Sequence, residues 1–340
     1  MYRVGIVGIG NIAAFYGKPE TEAPYCHVGG IRLSDRVRLA AVSDLLEEKR
    51  ERFRDEWGSA FPAVDYYDSS TSMLAADEFD IVAICNRGPD HCKTMLEVLE
   101  AGPKAIFCEK PPSCSLEEMD QFMAVAAEKQ IPITVSYTRH WCPRVLKMQE
   151  LVRDGLIGDV KGVVAYTGGT FLSFAAHVTD LICQFAGYDP VAISAHGRPG
   201  TEVPEGYEPE PSVAGAVIEF GSGVTGMHVG HEGEYGGFYC DIFGSEGRAR
   251  AGIYTAPFAT RKDEGEVDLA ALGMPDRDSP FLLAYDQIAA HLDGGPLPHC
   301  TNETFTIVNE LCFAGVESFH TGQRVALPNQ NRTRRVFANG

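Results

Sequence analysis

No apolar run in this chain approaches the roughly 20 residues a helix needs to cross a bilayer, so nothing in it reads as a membrane span. Positive charge is scarce as well: 29 lysines and arginines stand against 47 aspartates and glutamates, a net charge of -18. So acidic a chain argues against a nucleic-acid or anionic-membrane partner, because phosphate binding needs a basic field. Internal repeats and low-complexity stretches are missing, and the ten cysteines include no Cys-x-x-Cys pair. Several, such as Cys85, Cys108 and Cys183, sit in apolar contexts. That points to buried reduced thiols, with no metal site and no disulfide framework expected. A first strand that begins almost at Met1 leaves no room for a signal peptide, so the expected compartment is the cytoplasm.

What is present is an ordinary globular composition, 44% hydrophobic and 22% charged over 340 residues, long enough for two domains. The stretch Val4 to Ala14 organises the first of them. A β-branched apolar run breaks into Gly8-x-Gly10-x-x-Ala13, with Asn11 and Ile12 between, the pattern of a buried parallel strand turning sharply into a helix. Gly8 permits the turn, Gly10 admits a pyrophosphate close to the backbone, and Ala13 lets helix and strand pack closely. The same pattern also serves strand-to-helix corners with no ligand, so the other strand ends decide.

Phe15 to Arg36, with Gly17, Pro19, Pro24 and Gly29-Gly30, reads as an inserted surface excursion, though its Tyr25-Cys26-His27 could reach a cofactor or substrate. Val37 to Val42 is a second strand ending at Ser43-Asp44, followed by a helix from Leu45 to Trp57. A carboxylate at this strand end accepts both hydroxyls of an adenosine ribose and repels a 2′-phosphate. No arginine follows Asp44 directly, so NAD is expected over NADP. Asp44 lies 31 residues beyond Ala13, more than the usual spacing of about 20, and the insertion accounts for the excess. Phe79 to Cys85 ends at Asn86-Arg87, with His91 nearby; Lys104 to Cys108 ends at Glu109-Lys110-Pro111; Ser115 and Glu118 form a capping box; Ile131 to Tyr137 is one more strand. Strands alternating with helices predict a doubly wound parallel sheet, whose ligands bind at the strands' carboxyl ends. Asp44, Asn86, Arg87, Glu109 and Lys110 all fall at such ends. Lys110 beside a nicotinamide could stabilise an alkoxide on a substrate; its bland alternative is a salt bridge at the sheet edge.

Beyond Gly158 the strands Val160 to Thr167, Val191 to His196, Val213 to Phe220, Val224 to Val229 and Phe238 to Phe243 predict a large, mostly antiparallel sheet with helices on one face. Thr201 to Pro211, rich in proline and glutamate, reads as a solvated excursion. Thr255 to Pro280 reads as a long excursion that could cover a cleft. Helices are expected over Phe281 to Leu292 and Glu303 to Thr321. In the helix Phe171 to Gly187, Val178, Leu181, Ile182 and Phe185 form the buried stripe, which leaves Ser173, His177, Asp180 and Gln184 on a face that by itself reads as solvated. His228 and His231 invite a metal reading, but three apart in a strand they face opposite sides and are set aside.

The chain resembles the Gfo/Idh/MocA oxidoreductase family, on Gly8-Ile9-Gly10-Asn11-Ile12-Ala13, on Glu109-Lys110-Pro111 after a strand, on Arg139 to Gly158, and on the tail Gly322 to Pro328. The resemblance implies an NAD-binding Rossmann domain over 1–138 and a substrate-binding and oligomerisation α+β domain over 139–340. It implies Lys110 and His177, from His-x-x-Asp with Asp180, as the catalytic pair, His177 being the general base. Glu109 would hold Lys110 or the nicotinamide ribose, and Asn86, Arg87 and His91 lie in the cofactor-contacting turn. Tyr137 and Arg139 would touch substrate or serve the domain junction. The activity implied is NAD-dependent oxidation of a secondary hydroxyl on a sugar, sugar derivative or cyclitol. Its rivals are redox-neutral chemistry through transient oxidation, giving cleavage, elimination or epimerisation, and a non-catalytic NAD or sugar sensor. The partner implied is a small carbohydrate or polyol, in a homodimer or homotetramer built through the C-terminal sheet. The sequence departs from the family at Ser173, where aspartate is usual four residues before the histidine. Either His177 works with less electrostatic help or an acidic or differently shaped substrate fills the gap.

Overall fold

The computed structural model describes residues 1–230, 237–276 and 279–339. The chain divides into two compact units. The first comprises Met1–Ser113, Glu117–Trp141 and Asp278–Glu303; the second comprises Cys114–Leu116, Cys142–Arg277 and Thr304–Gly340. Residues 278–303, which a contiguous division after 138 leaves with the second part, thus pack with the first.

In the first unit six parallel strands, β1 (Tyr2–Val7), β2 (Val37–Ser43), β3 (Asp65–Tyr67), β4 (Ile81–Ile84), β5 (Ala105–Cys108) and β6 (Ile133–Val135), are ordered β3-β2-β1-β4-β5-β6. The order reverses between β1 and β4, the switch point where a crevice opens in such sheets. β1 and β4 are buried almost throughout, as strands covered by helices on both faces must be. The helices are α1 (His27–Leu33), α2 (Glu47–Trp57), α3 (Ser70–Ala76), α4 (Gly88–Ala101) and α5 (Leu116–Lys129); β3 and α3 were not legible in the sequence. α4 closes on Gly102 in the left-handed conformation, φ 73°.

Two expectations change here. The helix after β1 is only a wide five-residue turn, Asn11–Phe15. The segment Phe15 to Arg36 is not a surface excursion, because it contains α1, whose His27, Val28, Gly29, Gly30 and Ile31 are buried. Gly30 is a packing position: a Cβ on it would lie 2.6 Å from Phe281, in the helix Pro280–Leu292.

The second unit opens with α6 (Pro143–Arg153) and β7 (Val160–Tyr166), then α7 (Ala176–Ala186), β8 (Pro190–Arg198), β9 (Glu208–Pro209), β10 (Ser212–Phe220), β11 (Thr225–Val229), β12 (Tyr239–Gly244), β13 (Gly247–Gly252), β14 (Phe258–Arg261) and β15 (Gly265–Glu266). The first-unit helix Pro280–Leu292 is α8; α9 (Glu303–Thr321), β16 (Val325–Ala326) and β17 (Val336–Phe337) follow. Nine strands form one sheet ordered β15-β14-β13-β12-β7-β11-β10-β8-β16, antiparallel except where β7 runs beside β11. α7 lies against β7, β11 and β12, and α6 against β13. On the other face Val191, Val217, Met227, Val229 and Phe243 are exposed.

Part of the Thr255 to Pro280 stretch adds β14 and β15 to the sheet edge. The Thr201 to Pro211 stretch is not wholly solvated either: β9 pairs with β17, and Glu210 is buried. All ten cysteines are buried. Among the described residues no helix is long and apolar enough to cross a membrane.

Candidate active site

The glycine turn is built by close approach on one side and open space on the other. Gly8 has φ 87°, and a Cβ there would lie 2.5 Å from the Asn86 backbone nitrogen, so only glycine fits. Its amide donates to the Ser43 carbonyl at 2.7 Å. A Cβ on Gly10, by contrast, would meet nothing within 4 Å. This is the open backbone face a pyrophosphate requires. Asn11 is exposed, Ile12 half-buried, and Ala13 and Ala14 are buried where the turn meets the sheet.

Asp44, at the carboxyl end of β2, is fixed by two backbone donors: Ile9 N–H to Oδ2 at 2.7 Å and Leu46 N–H to Oδ1 at 3.0 Å. It therefore ties the glycine turn to the neighbouring strand end. A carboxylate has about four acceptor positions, so capacity for ribose hydroxyls remains. The structure adds what the next residue in sequence does not show. Lys49 Nζ lies 3.5 Å from Asp44 Oδ2, and the Arg50 guanidinium donates to the Asp44 carbonyl.

At the end of β4, Asn86 donates from Nδ2 to Thr94 Oγ1 at 2.7 Å, while its Oδ1 has no hydrogen-bond partner among the described residues. Arg87 is exposed at the start of α4. His91 is buried, with Nδ1 2.6 Å from the Pro111 carbonyl and Nε2 3.0 Å from the Asn86 carbonyl. It bridges the loops after β4 and β5, a supporting place, with both ring nitrogens turned to protein. Burial lowers its pKa against the pull of those carbonyls, which favours a neutral ring.

Beyond β5, Glu109 is buried and Lys110 half-buried. Glu109 Oε1 faces His27 Nε2 at 3.0 Å, and Oε2 accepts the Lys110 backbone N–H at 3.3 Å. Burial pushes the carboxyl up, but the His27 hydrogen bond and the charges of His27 and Lys110 more than reverse this and hold it below the usual range. The other face of His27 completes a chain, Nδ1 lying 2.8 Å from the Tyr285 hydroxyl. Tyr137 and Arg139 are buried; Arg139 Nη1 donates to Thr138 Oγ1 at 3.2 Å, and that hydroxyl meets the Tyr25 hydroxyl at 2.6 Å.

In the second unit a wide turn, Phe171–Ala175, leads into α7. The face that reads as solvated is mostly not: Ser173 and Asp180 are buried, and His177 is half-buried with its ring edge-on to Phe238. Asp180 accepts from Gln184 Nε2 at 2.7 Å and from the Tyr188 hydroxyl at 3.3 Å, so it organises α7 and the residues just after it.

Ser173 Oγ donates to Glu210 Oε2 at 2.6 Å, and the Leu172 and Ser173 amides both donate to Oε1. A carboxyl group from a distant segment is thus brought to the turn that carries position 173. Burial raises the Glu210 carboxyl, and its donors offset this only in part. The sequence offered no signal for Glu210, which sits in a run that composition alone assigns to solvent. His228 is buried, with burial lowering its pKa to about 4; His231 lies outside the described residues.

Residues 2–137 match the family GFO_IDH_MocA, described as an oxidoreductase family with an NAD-binding Rossmann fold. The chain is 22% identical to the myo-inositol 2-dehydrogenase of Thermotoga maritima over 72% of its length and 74% of that protein's. It is 25% identical to the scyllo-inositol 2-dehydrogenase (NAD(+)) of Bacillus subtilis over 96% of each. The fold is that of the WlbA dehydrogenase from Bordetella pertussis, a structure in complex with NADH and UDP-GlcNAcA, with a TM-score of 0.74, 19% identity, and coverage of 96% and 98%. With the parallel sheet, the glycine turn and Glu109-Lys110-Pro111 in place, residues 2–137 are similar to the NAD-binding Rossmann domain of this oxidoreductase family.

Proposed function

We propose that this protein is an NAD-dependent dehydrogenase that oxidises a secondary hydroxyl of a sugar, sugar derivative or cyclitol. The observation that carries the reading is Lys110 at the carboxyl end of β5, anchored through its backbone to the buried Glu109 side chain. The inositol dehydrogenases among its relatives support the substrate class.

NAD, when bound, supplies the hydride acceptor. On the protein side, Gly8, Gly10, Asn11, Ile12 and Ala13 border the pyrophosphate, and Asp44 accepts from the adenosine ribose. Asn86 and Arg87 lie along the same edge of the sheet, with His91 supporting their loop. The Lys110 ammonium donates to the substrate oxygen and stabilises the negative charge that grows on it. His177 takes the hydroxyl proton as general base. Ser173 and Asp180 hold the turn and helix that carry it, and Tyr137 and Arg139 shape the substrate side. The exposed apolar sheet face supports association as a homodimer or homotetramer.

A panel of sugars, polyols and sugar acids incubated with NAD, followed by nicotinamide absorbance and product mass together, tests the reading. Expected is NADH formation with a product two hydrogens lighter, lost in Lys110→Ala. Turnover without NADH accumulation would transfer the assignment to redox-neutral chemistry. NAD binding with no turnover of any compound would favour a sensor.

A further inference from the structure

The segment around His27 reads as an insertion, yet its histidine is completely buried and meets the residue next to the proposed catalytic lysine. Nε2 lies 3.0 Å from Glu109 Oε1, and Nδ1 lies 2.8 Å from the Tyr285 hydroxyl. His27 comes from α1, Glu109 from the end of β5 and Tyr285 from α8, three elements of one unit. Phe107 and Phe281 pack on the imidazole at 4.7 and 4.6 Å between centroids. The ring therefore has one orientation open to it.

In that orientation Nε2 carries a proton whether the ring is neutral, with Tyr285 donating to Nδ1, or charged, with Tyr285 accepting. Either way Glu109 receives a hydrogen bond that no water can replace, and the cost of an ionised carboxylate in the interior is offset. The other groups facing this cluster are Lys110, the buried imidazole of His91, and the thiols of Cys26, Cys85 and Cys108. Burial pushes Cys26 up to about 11 and the other two well above their ordinary value, so none of the thiols contributes charge near neutrality. Burial lowers the His91 pKa and favours its neutral ring, so His27, Glu109 and Lys110 are left as the groups whose protonation matters.

We propose that His27, backed by Tyr285, is a positioning residue for Lys110: it keeps Glu109 ionised and aimed at the Lys110 backbone, and thereby keeps the lysine charged and in register for the substrate oxygen. The inference rests on the dehydrogenase reading for its consequence in catalysis, but its central claim concerns the ionisation of Lys110 and is measurable without a substrate.

The test is competitive acetylation of Lys110 from pH 7 to 11, read by peptide mass, in the intact protein with and without NAD. Three variants are compared. His27→Phe removes both hydrogen bonds and leaves Glu109 a buried carboxylate with every reason to take up a proton. His27→Gln can donate to Glu109 and accept from Tyr285 but cannot carry charge. Tyr285→Phe removes one hydroxyl with little change of shape and serves if His27→Phe does not fold. Expected is labelling of Lys110 at pH 8 increased about threefold or more in His27→Phe, as a less stabilised ammonium loses its proton earlier. Near wild-type labelling is expected in His27→Gln, and a smaller increase in Tyr285→Phe. Where a substrate is in hand, kcat falls about tenfold or more in His27→Phe while KM for NAD stays within about twofold. Unchanged Lys110 labelling in His27→Phe, or in Tyr285→Phe if that alone folds, would overturn the proposal. So would a His27→Gln variant as perturbed as the phenylalanine. If labelling moves as expected but no polyol is oxidised, the dehydrogenase reading fails and the inference stands.

Discussion

The Ser173 hydroxyl donates to the Glu210 carboxylate at 2.6 Å, and the Ser173 amide donates to the same side chain at 2.8 Å. A serine on the turn before His177 and a glutamate 37 residues further on thus meet on one turn. Glu210 also receives the Leu172 amide, so it caps this turn as an N-cap carboxylate caps a helix.

Because burial raises the Glu210 carboxyl, there is a pH range in which the native state keeps a proton there and the unfolded chain has released it. The contribution of this group is therefore fully present below the ordinary carboxylate range and is lost as pH rises through the raised value. Glu210→Gln keeps acceptor and donor but cannot ionise. Its melting temperature should gain on the wild type as pH rises above the ordinary carboxylate range, and the gain should level off once the raised value is passed. Glu210→Ala, which strands the Leu172 and Ser173 donors, should cost about 1–3 kcal/mol at low pH as well. A pH-independent difference between Glu210→Gln and wild type would refute the assignment.

Restoring aspartate at position 173 places it against a carboxylate already there. Two adjacent carboxylates cannot both ionise cheaply, so Ser173→Asp should lose about 1–3 kcal/mol at pH 8 and recover at low pH. Combined with Glu210→Gln, most of that loss should disappear, a non-additivity characteristic of groups in contact. Denaturant melts of the four proteins in the cycle measure it. Additive losses would mean that the two side chains act separately.

The two glycines of the opening turn should behave oppositely. Gly8→Ala forces a side chain into a left-handed conformation and 2.5 Å from the Asn86 nitrogen, and should cost about 3 kcal/mol or more, or prevent folding. Gly10→Ala meets open space and should change stability by less than about 1 kcal/mol, while weakening NAD tenfold or more if the pyrophosphate lies there. Calorimetric NAD titration with thermal melts separates the effects. Undiminished NAD binding by folded Gly10→Ala would move the pyrophosphate elsewhere.

Asp44 holds the glycine turn through Ile9 and stands beside Lys49. Asp44→Ala removes the proposed ribose acceptor and releases the Lys49 ammonium from its carboxylate, while Arg50 keeps the backbone carbonyl it donates to. NAD affinity should fall about tenfold or more and the preference for NAD over NADP should narrow. Titration with both nucleotides checks this; an unaltered ratio would remove Asp44 from cofactor selection.

The sequence by itself determined the parallel sheet, the glycine turn and the strand ends that carry Asp44, Asn86 and Glu109-Lys110, because these follow from periodicity and from turn chemistry within a few residues. The antiparallel sheet followed too, since alternation and glycine turns are local. What only the tertiary structure decided are pairings across distance. His27 lies 82 residues from Glu109 and 258 from Tyr285, and Glu210 meets a turn 37 residues before it. Gly29-Gly30 and the proline-rich run before Glu210 read as loops because glycine and proline are weak helix formers. In the fold Gly30 lets α1 approach α8 closely while Gly29 packs on Pro24, and the run delivers a carboxylate to two backbone amides. Local propensity registers the residues' conformational freedom, whereas their placement follows from which buried polar groups need a partner.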